Sequence, residues 1–344
     1  MSIDSKHTLN TLLNGTDLEA AEMEALMGAI MDGGLESAQV AALLVALRAK
    51  GESATEVAAA ARVMKARALG VTAPDDAIDT CGTGGDGTET INISTASALV
   101  AAAGGVPVAK HGNRSVSSRC GSADVLEALG VRLELDRGAL TTLIEEIGIA
   151  FLFAQQLHPA MAAVAPVRRA LGVRTVFNLL GPLTNPAGIR RQVLGVWGGA
   201  IQPLVAEALA QLGAVHALVV HSDDGLDEFS VVAPSTVIEV RDGAVTGRWM
   251  VDPAELGIRA DDPGSLRGGD VDENASRMRA ILSGEERSAA TEAVALNAAA
   301  ALMVGRKADD LAEGLEMARE LLASGTAGEI LDALVRRSKE LGDG

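Results

Sequence analysis

The pattern of apolar residues changes character near Pro74, and this change limits the possible folds more than any other feature of the chain. Before it, apolar residues recur at helical spacing, as at Val40, Leu43 and Leu47, which predicts a bundle of about four helices. After it, short apolar runs alternate with helical stretches, a pattern typical of a mostly parallel sheet covered by helices. We therefore expect an α/β fold in which a small N-terminal helical domain joins a larger α/β domain.

The patterns also predict element boundaries. In the first 70 residues, helices are expected to begin at capping boxes that pair Thr16 with Glu19 and Ser53 with Glu56, and at a third cap, Ser37. Predicted strands span residues 77–80, 106–109, 149–154, 193–197 and 217–221, and residues 227–240 are expected to be extended and partly antiparallel. Predicted helices span 95–103, 122–129, 139–147, 159–171 and 203–212, and the chain is expected to end in two long helices, 285–304 and 308–322.

Composition excludes several classes of protein. At 344 residues the chain is long for a single core, so two domains are expected. The chain has two cysteines, which argues against a disulfide framework and favours a reducing cytoplasm. The polar start and the lack of an unbroken apolar run of about 18 residues predict neither a signal peptide nor a membrane span. The net charge of −17 argues against a general binder of nucleic acid or anionic membranes.

Acidic residues are unevenly distributed along the chain. Residues 90–123 and 147–206 contain no Asp or Glu, although both segments contain cations. Two interpretations stand: the segments build a pocket for an anion, or they are largely buried, where carboxylates are rare. The cations concerned are Lys110, Arg114, Arg119, Arg168, Arg169, Arg174, Arg190 and Arg191.

Residues 79–95, DTCGTGGDGTETINIST, contain four glycines within six residues. They formally satisfy the G-x-G-x-x-G dinucleotide fingerprint, but the acid expected about 20 residues later is missing and Lys110 is present instead. Glycines also let backbone N–H groups approach an anion closely, and Asn92, Ser94 and Thr95 follow at the start of a predicted helix. The segment is interpreted as a phosphate cradle or, alternatively, as a tight strand-to-helix turn.

Three further clusters carry chemistry. Residues 110–118, KHGNRSVSS, place cations, an imidazole and serines at a strand end, where ligands bind in open α/β sheets. Four carboxylates between Asp223 and Glu228 suit Mg²⁺, which takes one or two carboxylates with water and phosphate oxygens. One of Arg168, Arg169 and Arg174, if it faces a cleft, suits a carboxylate. The alternatives are an exposed basic loop, a solvated acidic turn and surface arginines.

Six motifs occur in order along the chain: D-x-x-G-T-G-G-D at 79–86, N-I-S-T at 92–95, K-H-G-N-R at 110–114, G-S-A-D-V-L-E-A-L-G at 121–130, G-P-L-T-N-P at 181–186 and G-L-D-E at 225–228. Together they resemble the anthranilate phosphoribosyltransferase family in order and spacing, over essentially the whole chain. One departure is Ile91, where many relatives carry Phe. The resemblance implies the fold shared by nucleoside phosphorylases and these phosphoribosyltransferases, usually as a homodimer. It places residues 1–72 plus about 158–182 in the helical domain, and 73–157 plus 183–344 in the α/β domain.

The resemblance implies transfer of phosphoribose from phosphoribosyl pyrophosphate to the amine of anthranilate, in tryptophan biosynthesis, with two Mg²⁺ ions per active site. Magnesium would be held by Ser94 at one site and by Asp227 and Glu228 at the other. Anthranilate would meet Gly82, Asn113 and Arg168, with His111 nearby and no certain catalytic residue. Contacts to phosphoribosyl pyrophosphate would fall on Gly82, Gly85, Asp86, Thr90, Asn92, Ile93, Ser94, Thr95, Lys110, His111, Gly112, Asn113, Arg114, Ser115, Val116, Ser117, Ser118 and Ser122.

The residue inventory agrees with this chemistry. Loss of pyrophosphate from the anomeric carbon gives an oxocarbenium-like transition state, and a metal-bound pyrophosphate leaves without a protein acid. An aryl amine is neutral at pH 7, so no strong general base is needed. Two competing functions stay open: a pyrimidine nucleoside phosphorylase, which needs no G-L-D-E metal site, and a non-catalytic nucleic-acid-binding relative, which should be basic over one face.

Overall fold

The computed structural model describes residues 3–115, 119–260 and 262–343. It opens with four helices: α1 (Ser5–Leu13), α2 (Ala20–Met31), α3 (Ser37–Lys50) and α4 (Ala54–Ala66). Ser53 caps α4 in the expected box with Glu56. The other two cap predictions are wrong: α2 is capped by Glu19, and α3 by Glu36. In both cases the backbone amide of the capping glutamate donates to a side chain three residues later, Glu22 in α2 and Gln39 in α3.

The described part of the chain contributes seven strands to one sheet, in the order β3-β2-β1-β4-β5-β6-β7. Strands β1 to β5 are parallel, and β6 and β7 complete the sheet as antiparallel neighbours. All five predicted strands are present within a few residues, and β6 confirms the antiparallel part of segment 227–240, whereas β7 was not predicted. The strands are β1 (Ile78–Gly82), β2 (Val108–Gly112), β3 (Ile149–Phe153), β4 (Arg191–Gly195), β5 (His216–Ser222), β6 (Ser235–Arg241) and β7 (Ala244–Val251).

Helices cover both faces of the sheet. They are α5 (Ile93–Ala103), α6 (Ser122–Ala128), α7 (Arg137–Ile147), α8 (Ala154–Leu157), α9 (Ala165–Leu171), α10 (Phe177–Leu180), α11 (Gln202–Gln211), α12 (Val271–Leu282), α13 (Ala289–Val304), α14 (Leu311–Ala323) and α15 (Thr326–Gly342). Short 3₁₀ turns span Pro159–Ala163, Gly181–Leu183 and Pro263–Leu266. The two predicted C-terminal helices are α13 and α14. The helices α12 and α15 were not predicted, because each has only a narrow stripe of apolar residues among charged and polar ones.

Two hydrophobic cores lie on opposite sides of the sheet. One packs α5 and α13 against it, with Leu99 and Leu296 fully buried. The other joins α1–α4 to α11 and includes Val167 of α9 and Phe177 of α10. None of the helices in the described ranges is both long and apolar enough to cross a membrane.

The parallel register brings several loops to one edge of the sheet. Gly82 at the end of β1 pairs with Gly195 of β4, which in turn pairs with Val220 of β5. Gly112 at the end of β2 pairs with Phe153 of β3. The loops that leave these strands therefore meet at the carboxyl edge, where open α/β sheets bind their ligands.

Candidate active site

The glycine loop that follows β1 is held close to the acidic segment after β5. Gly84, Gly85 and Gly87 have φ angles between +66° and +80°, which favour glycine. The amide of Gly84 donates to Asp227 Oδ2 at 2.8 Å. A side chain on Gly82 would lie 2.5 Å from the same oxygen, so the carboxylate occupies the space that glycine leaves.

Asp227 and Glu228 form an acidic pair in the segment after β5, at the carboxyl edge of the sheet. Asp227 is 8% exposed, and burial together with the nearby Asp86 raises its pKa to about 7. Burial and the neighbouring Asp227 raise the pKa of Glu228 to about 8, although Lys110 opposes the shift. Glu228 also accepts a hydrogen bond from the amide of Ser94 at 3.2 Å. Without a cation the pair therefore holds its protons unusually tightly.

The donor set of this pair fits Mg²⁺. Burial raises both pKa values, and a neighbouring carboxylate adds to each shift, Asp86 at Asp227 and Asp227 at Glu228. A divalent cation would stabilise the charged forms of such a pair, and Mg²⁺ commonly takes only one or two carboxylates. Ser94, at the start of α5, binds Glu228 through its amide and carries a hydroxyl that Lys110 contacts. Within the described ranges, no group of three or more His, Cys, Asp or Glu side chains could hold a metal ion.

Lys110 reaches the same point from β2. Its ammonium group is buried and donates to the carbonyl oxygen of Thr80 at 2.5 Å and to Ser94 Oγ at 3.4 Å. Ser94 therefore contacts both the ammonium group of Lys110 and the carboxylate of Glu228. The carboxyl edge of the sheet therefore combines a glycine loop, a fixed cation and an acidic pair.

The next residue, His111, is buried and neutral. Burial, with the ring of His158 at 5.1 Å, lowers the pKa of His111 to about 3. Its Nδ1 lies 3.1 Å from the carbonyl oxygen of Gly181, and its Nε2 has no hydrogen-bond partner in the described structure. The ring is thus held by G-P-L-T-N-P, one of the six motifs.

The same motif supplies a buried amide, Asn185, whose contacts the sequence analysis missed. Its Nδ2 donates at 2.8 Å to Asp79 Oδ2 and to the carbonyl oxygen of Ala109. Asp79 also accepts a hydrogen bond from the amide of His111. Asn185 therefore fastens β1 to β2 beneath the two loops.

The loop after β2 packs against α6. Asn113 accepts a hydrogen bond from Ser122 Oγ through its backbone oxygen. Arg114 does not face the glycine loop: its guanidinium binds Asp124 and Glu127 and lies over the Phe153 ring. The amide of Ser115 donates to Asp124 Oδ2. Predicted contacts Val116, Ser117 and Ser118 lie outside the described residues.

The N-I-S-T motif forms the start of α5, two residues earlier than predicted. Asn92 donates to the carbonyl oxygen of Cys120 and lies 3.4 Å from Asn274, a buried α12 side chain that the sequence analysis did not single out. Thr95 is 1% exposed, and its hydroxyl has no partner among the described residues. Ile91, in place of Phe, is buried in the core.

The arginines of the carboxylate-free segment 147–206 do not form one group in the structure. Arg168 on α9 lies over the ring of Phe177 at 5.4 Å, and burial lowers its pKa. Among the described residues no carboxylate contributes to that shift, so its guanidinium has no carboxylate partner there. Arg190 and Arg191 lie at the opposite end of β4, bound to the carbonyl oxygens of Gly213 and Val304.

The helical bundle and the sheet with its carboxyl-edge cleft define a two-domain glycosyl transferase. Residues 6–68 match the helical bundle domain of the glycosyl transferase family, and residues 74–328 match its a/b domain.

Curated relatives identify the family more narrowly. The anthranilate phosphoribosyltransferase of Chloroflexus aggregans is 50% identical over 94% of this chain and 95% of its own length. That of Rubrobacter xylanophilus is 49% identical over 98% of both chains. The chain belongs to the anthranilate phosphoribosyltransferase family.

Solved structures agree with this assignment. The anthranilate phosphoribosyltransferase of Thermus thermophilus superposes with a TM-score of 0.91 at 46% identity, over 96% of this chain and 99% of that one. The Saccharomyces cerevisiae enzyme in complex with phosphoribosyl pyrophosphate and Mg superposes with a TM-score of 0.89 at 25% identity, over 98% of each chain. The yeast enzyme with 4-fluoroanthranilate superposes with a TM-score of 0.87 at 25% identity, over 97% of this chain and 98% of that one.

Proposed function

We propose that this protein transfers the 5-phosphoribosyl group of phosphoribosyl pyrophosphate to the amine of anthranilate, giving N-(5-phosphoribosyl)anthranilate and pyrophosphate for tryptophan biosynthesis. The observation that carries the proposal is the meeting of Gly84, Lys110 and the Asp227–Glu228 pair at one edge of the sheet. Backbone amides and a buried cation suit a polyphosphate, and the acidic pair suits the Mg²⁺ that accompanies it.

The phosphoribosyl donor would lie between the loops after β1 and β2. The Thr95 hydroxyl at the start of α5 has no partner among the described residues and is a donor for a phosphate oxygen. The helix N-terminus also favours negative charge. Ser122 Oγ, which now donates to a backbone oxygen, lies beside the same loop. The proposed contacts are Gly82, Gly85, Asp86, Thr90, Asn92–Thr95, Lys110, His111, Gly112, Asn113, Arg114, Ser115 and Ser122, together with residues 116–118.

Two Mg²⁺ ions are proposed per active site, one held by Ser94 and the other by Asp227 and Glu228. When bound, Mg²⁺ neutralises negative charge that develops on the departing pyrophosphate. The chain's own contribution is to keep both carboxylates fixed: Gly84 holds one and the Ser94 amide holds the other. Deprotonation of the pair is the step that prepares it for a cation.

Anthranilate would meet Gly82, Asn113 and Arg168. Arg168 has no carboxylate partner in the described part of the chain, so it can bind the carboxylate of the substrate, and the Phe177 ring orients its guanidinium. His111 is neutral at pH 7 and does not repel or protonate an aryl amine. Because the amine is already neutral, the residues act by positioning and electrostatics rather than by general base catalysis.

The domain boundaries follow from the same proposal. The helical domain would comprise residues 1–72 with about 158–182, since Val167 and Phe177 share the core of α1–α4. The rest would form the donor-binding domain. A homodimer is proposed, as the family resemblance implies.

The test uses the fluorescence of anthranilate. Its signal should decay only when protein, phosphoribosyl pyrophosphate and Mg²⁺ are all present, and EDTA should stop the decay. A protein that leaves anthranilate unchanged but cleaves a pyrimidine nucleoside with inorganic phosphate would instead be a nucleoside phosphorylase. Tight, salt-sensitive DNA binding without turnover would favour the nucleic-acid-binding alternative.

A further inference from the structure

Arg174, in the segment after α9, contacts the glycine loop at Gly85, the residue that follows the Gly84 amide bound by Asp227. Its Nη2 donates to the carbonyl oxygen of Gly85 at 2.5 Å, and its guanidinium lies 4.5 Å from the centre of the Trp197 ring. The amide of Trp197 donates to Thr83 Oγ1 at 3.1 Å. Thr83 in turn donates its amide to Gly195. Trp197 and Arg174 therefore hold the loop at two points, Thr83 and Gly85.

The contact at Gly85 fixes the direction of a peptide group. All peptide bonds in the described structure are trans, so the carbonyl of Gly85 and the amide of Asp86 point in opposite directions. With the carbonyl bound by Arg174, the Asp86 amide faces away from Arg174. Within the described ranges that amide donates to no protein acceptor. An oriented amide without an internal acceptor is a donor available to an anion.

Arginine suits this position better than lysine. A planar guanidinium can lie flat on an indole ring while one of its N–H groups donates to a carbonyl oxygen. Gly85 has a φ of +73°. Because glycine also adopts many other backbone conformations at little cost, a contact from outside the loop is needed to fix this peptide. Arg174 supplies that contact, and only Gly172 and Val173 separate it from α9, which carries Arg168.

We propose that Arg174, stacked on Trp197, is a positioning residue that orients the peptide between Gly85 and Asp86 for the pyrophosphate of the phosphoribosyl donor. The contact also ties the donor loop to α9, which carries Arg168. This inference rests on the proposed function, because the anion is taken to be the pyrophosphate of that donor. Arg174 itself need not touch either substrate.

Intrinsic fluorescence provides a readout that is independent of turnover. The chain has two tryptophans and no tyrosine, so Trp249→Phe leaves Trp197 as the only indole. In that background, Arg174→Met and the control Arg169→Met are titrated with pyrophosphate in the presence of Mg²⁺. Arg169 is an exposed arginine of α9, so the control makes the same exchange away from the loop.

We expect Arg174→Met to weaken pyrophosphate binding roughly tenfold, the usual effect of losing one charge-assisted hydrogen bond. The KM for phosphoribosyl pyrophosphate should rise similarly, while kcat and the anthranilate KM change less than about threefold. If Arg174→Met does not fold, Arg174→Lys is used, which keeps a donor but not the flat stack, and it should weaken binding by a smaller factor.

Two results would overturn the inference. If the Trp249→Phe parent binds pyrophosphate and forms product, and the Arg174 variant binds pyrophosphate as tightly as Arg169→Met, then Arg174 does not position the loop. If the parent itself neither binds pyrophosphate nor consumes anthranilate, the proposed function is wrong and this inference falls with it.

Discussion

The carboxylate of Asp227 accepts a hydrogen bond from the backbone amide of Gly84, at 2.8 Å and across 143 residues of sequence. The approach is close because Gly82 and Gly195 carry no side chains: a Cβ on Gly195 would lie 1.5 Å from the backbone oxygen of Asp227. Two glycines on neighbouring strands thus let the acidic segment pack against the sheet edge beside the glycine loop. This arrangement makes the acidic pair a direct target for mutation.

Replacement of the acidic pair, Asp227→Asn with Glu228→Gln, should mainly lower kcat. The amides keep the shape but remove the charges that would hold Mg²⁺, and loss of such electrostatic stabilisation typically costs roughly 100-fold or more. Asp223→Asn is the matched control, because Asp223 is an exposed acid of the same segment. Steady-state rates over a series of Mg²⁺ concentrations test this. A normal kcat with a raised anthranilate KM would mean that the acidic pair lies at the anthranilate site and not at the Mg²⁺ site.

Arg168→Met should mainly raise the KM for anthranilate. Methionine keeps much of the contact with Phe177 but cannot bind a carboxylate, so the expected rise is roughly tenfold to 100-fold. Arg169→Met, on the exposed side of α9, should behave like the wild-type protein. Initial rates from anthranilate fluorescence measure this KM. An unchanged KM for anthranilate would show that Arg168 does not bind this substrate.

Asp79→Asn should flatten the pH dependence of stability. Burial raises the pKa of Asp79 from 3.8 to about 6, although Lys110 and Asn185 oppose the shift. A carboxyl whose pKa is raised on folding contributes stability that is fully present below about pH 4 and is lost as the pH rises through about 6. Between these limits the wild-type free energy of unfolding should fall more than that of the variant, by about 3 kcal/mol.

Urea unfolding in EDTA at several pH values measures this difference. The comparison uses the slope against pH, because the variant also disturbs the hydrogen bond from Asn185 and is expected to be less stable overall. Parallel pH curves for the two proteins would contradict the assignment of this titration to Asp79.

Asn297→Ala should destabilise the protein and weaken its response to Mg²⁺. Asn297 is buried on α13, accepts from the amide of Phe229 and donates to its carbonyl oxygen. Removing the side chain leaves two buried backbone groups unpaired next to Glu228, at a cost of about 3 kcal/mol. Urea unfolding measures the loss, and the Mg²⁺ concentration for half-maximal rate should rise; normal stability would show that Asn297 does not support the loop.

Local patterns were enough to predict much of the architecture. Apolar runs and helical periodicity reflect burial on one element, so the five parallel strands and most helices were found from neighbouring residues alone. The motif glycines and the acids after β5 were recognisable for the same reason, since turn geometry and strand ends are local properties. The helices α12 and α15 were missed because their few buried residues form a narrow stripe among charged and polar ones.

Charge counting along the chain was a poorer guide to the site. Arg190 and Arg191 were grouped with the candidate anion pocket. However, β4 runs from Arg191 to Gly195, so Arg191 lies roughly 13 Å from the strand end that faces the site. Arg114 faces Asp124 and Glu127 rather than the glycine loop. A cation's neighbours in sequence do not fix its neighbours in space.

The sequence by itself determined the fold class, the order of the strands along the chain and the residue types that gather at the sheet edge. Only the tertiary structure decided which of them touch: Asn185 with Asp79, Arg174 with Gly85, and Asn297 with Phe229. These pairs are 106, 89 and 68 residues apart. Their geometry depends on how the parallel strands are ordered and registered in the sheet, and no local pattern encodes that.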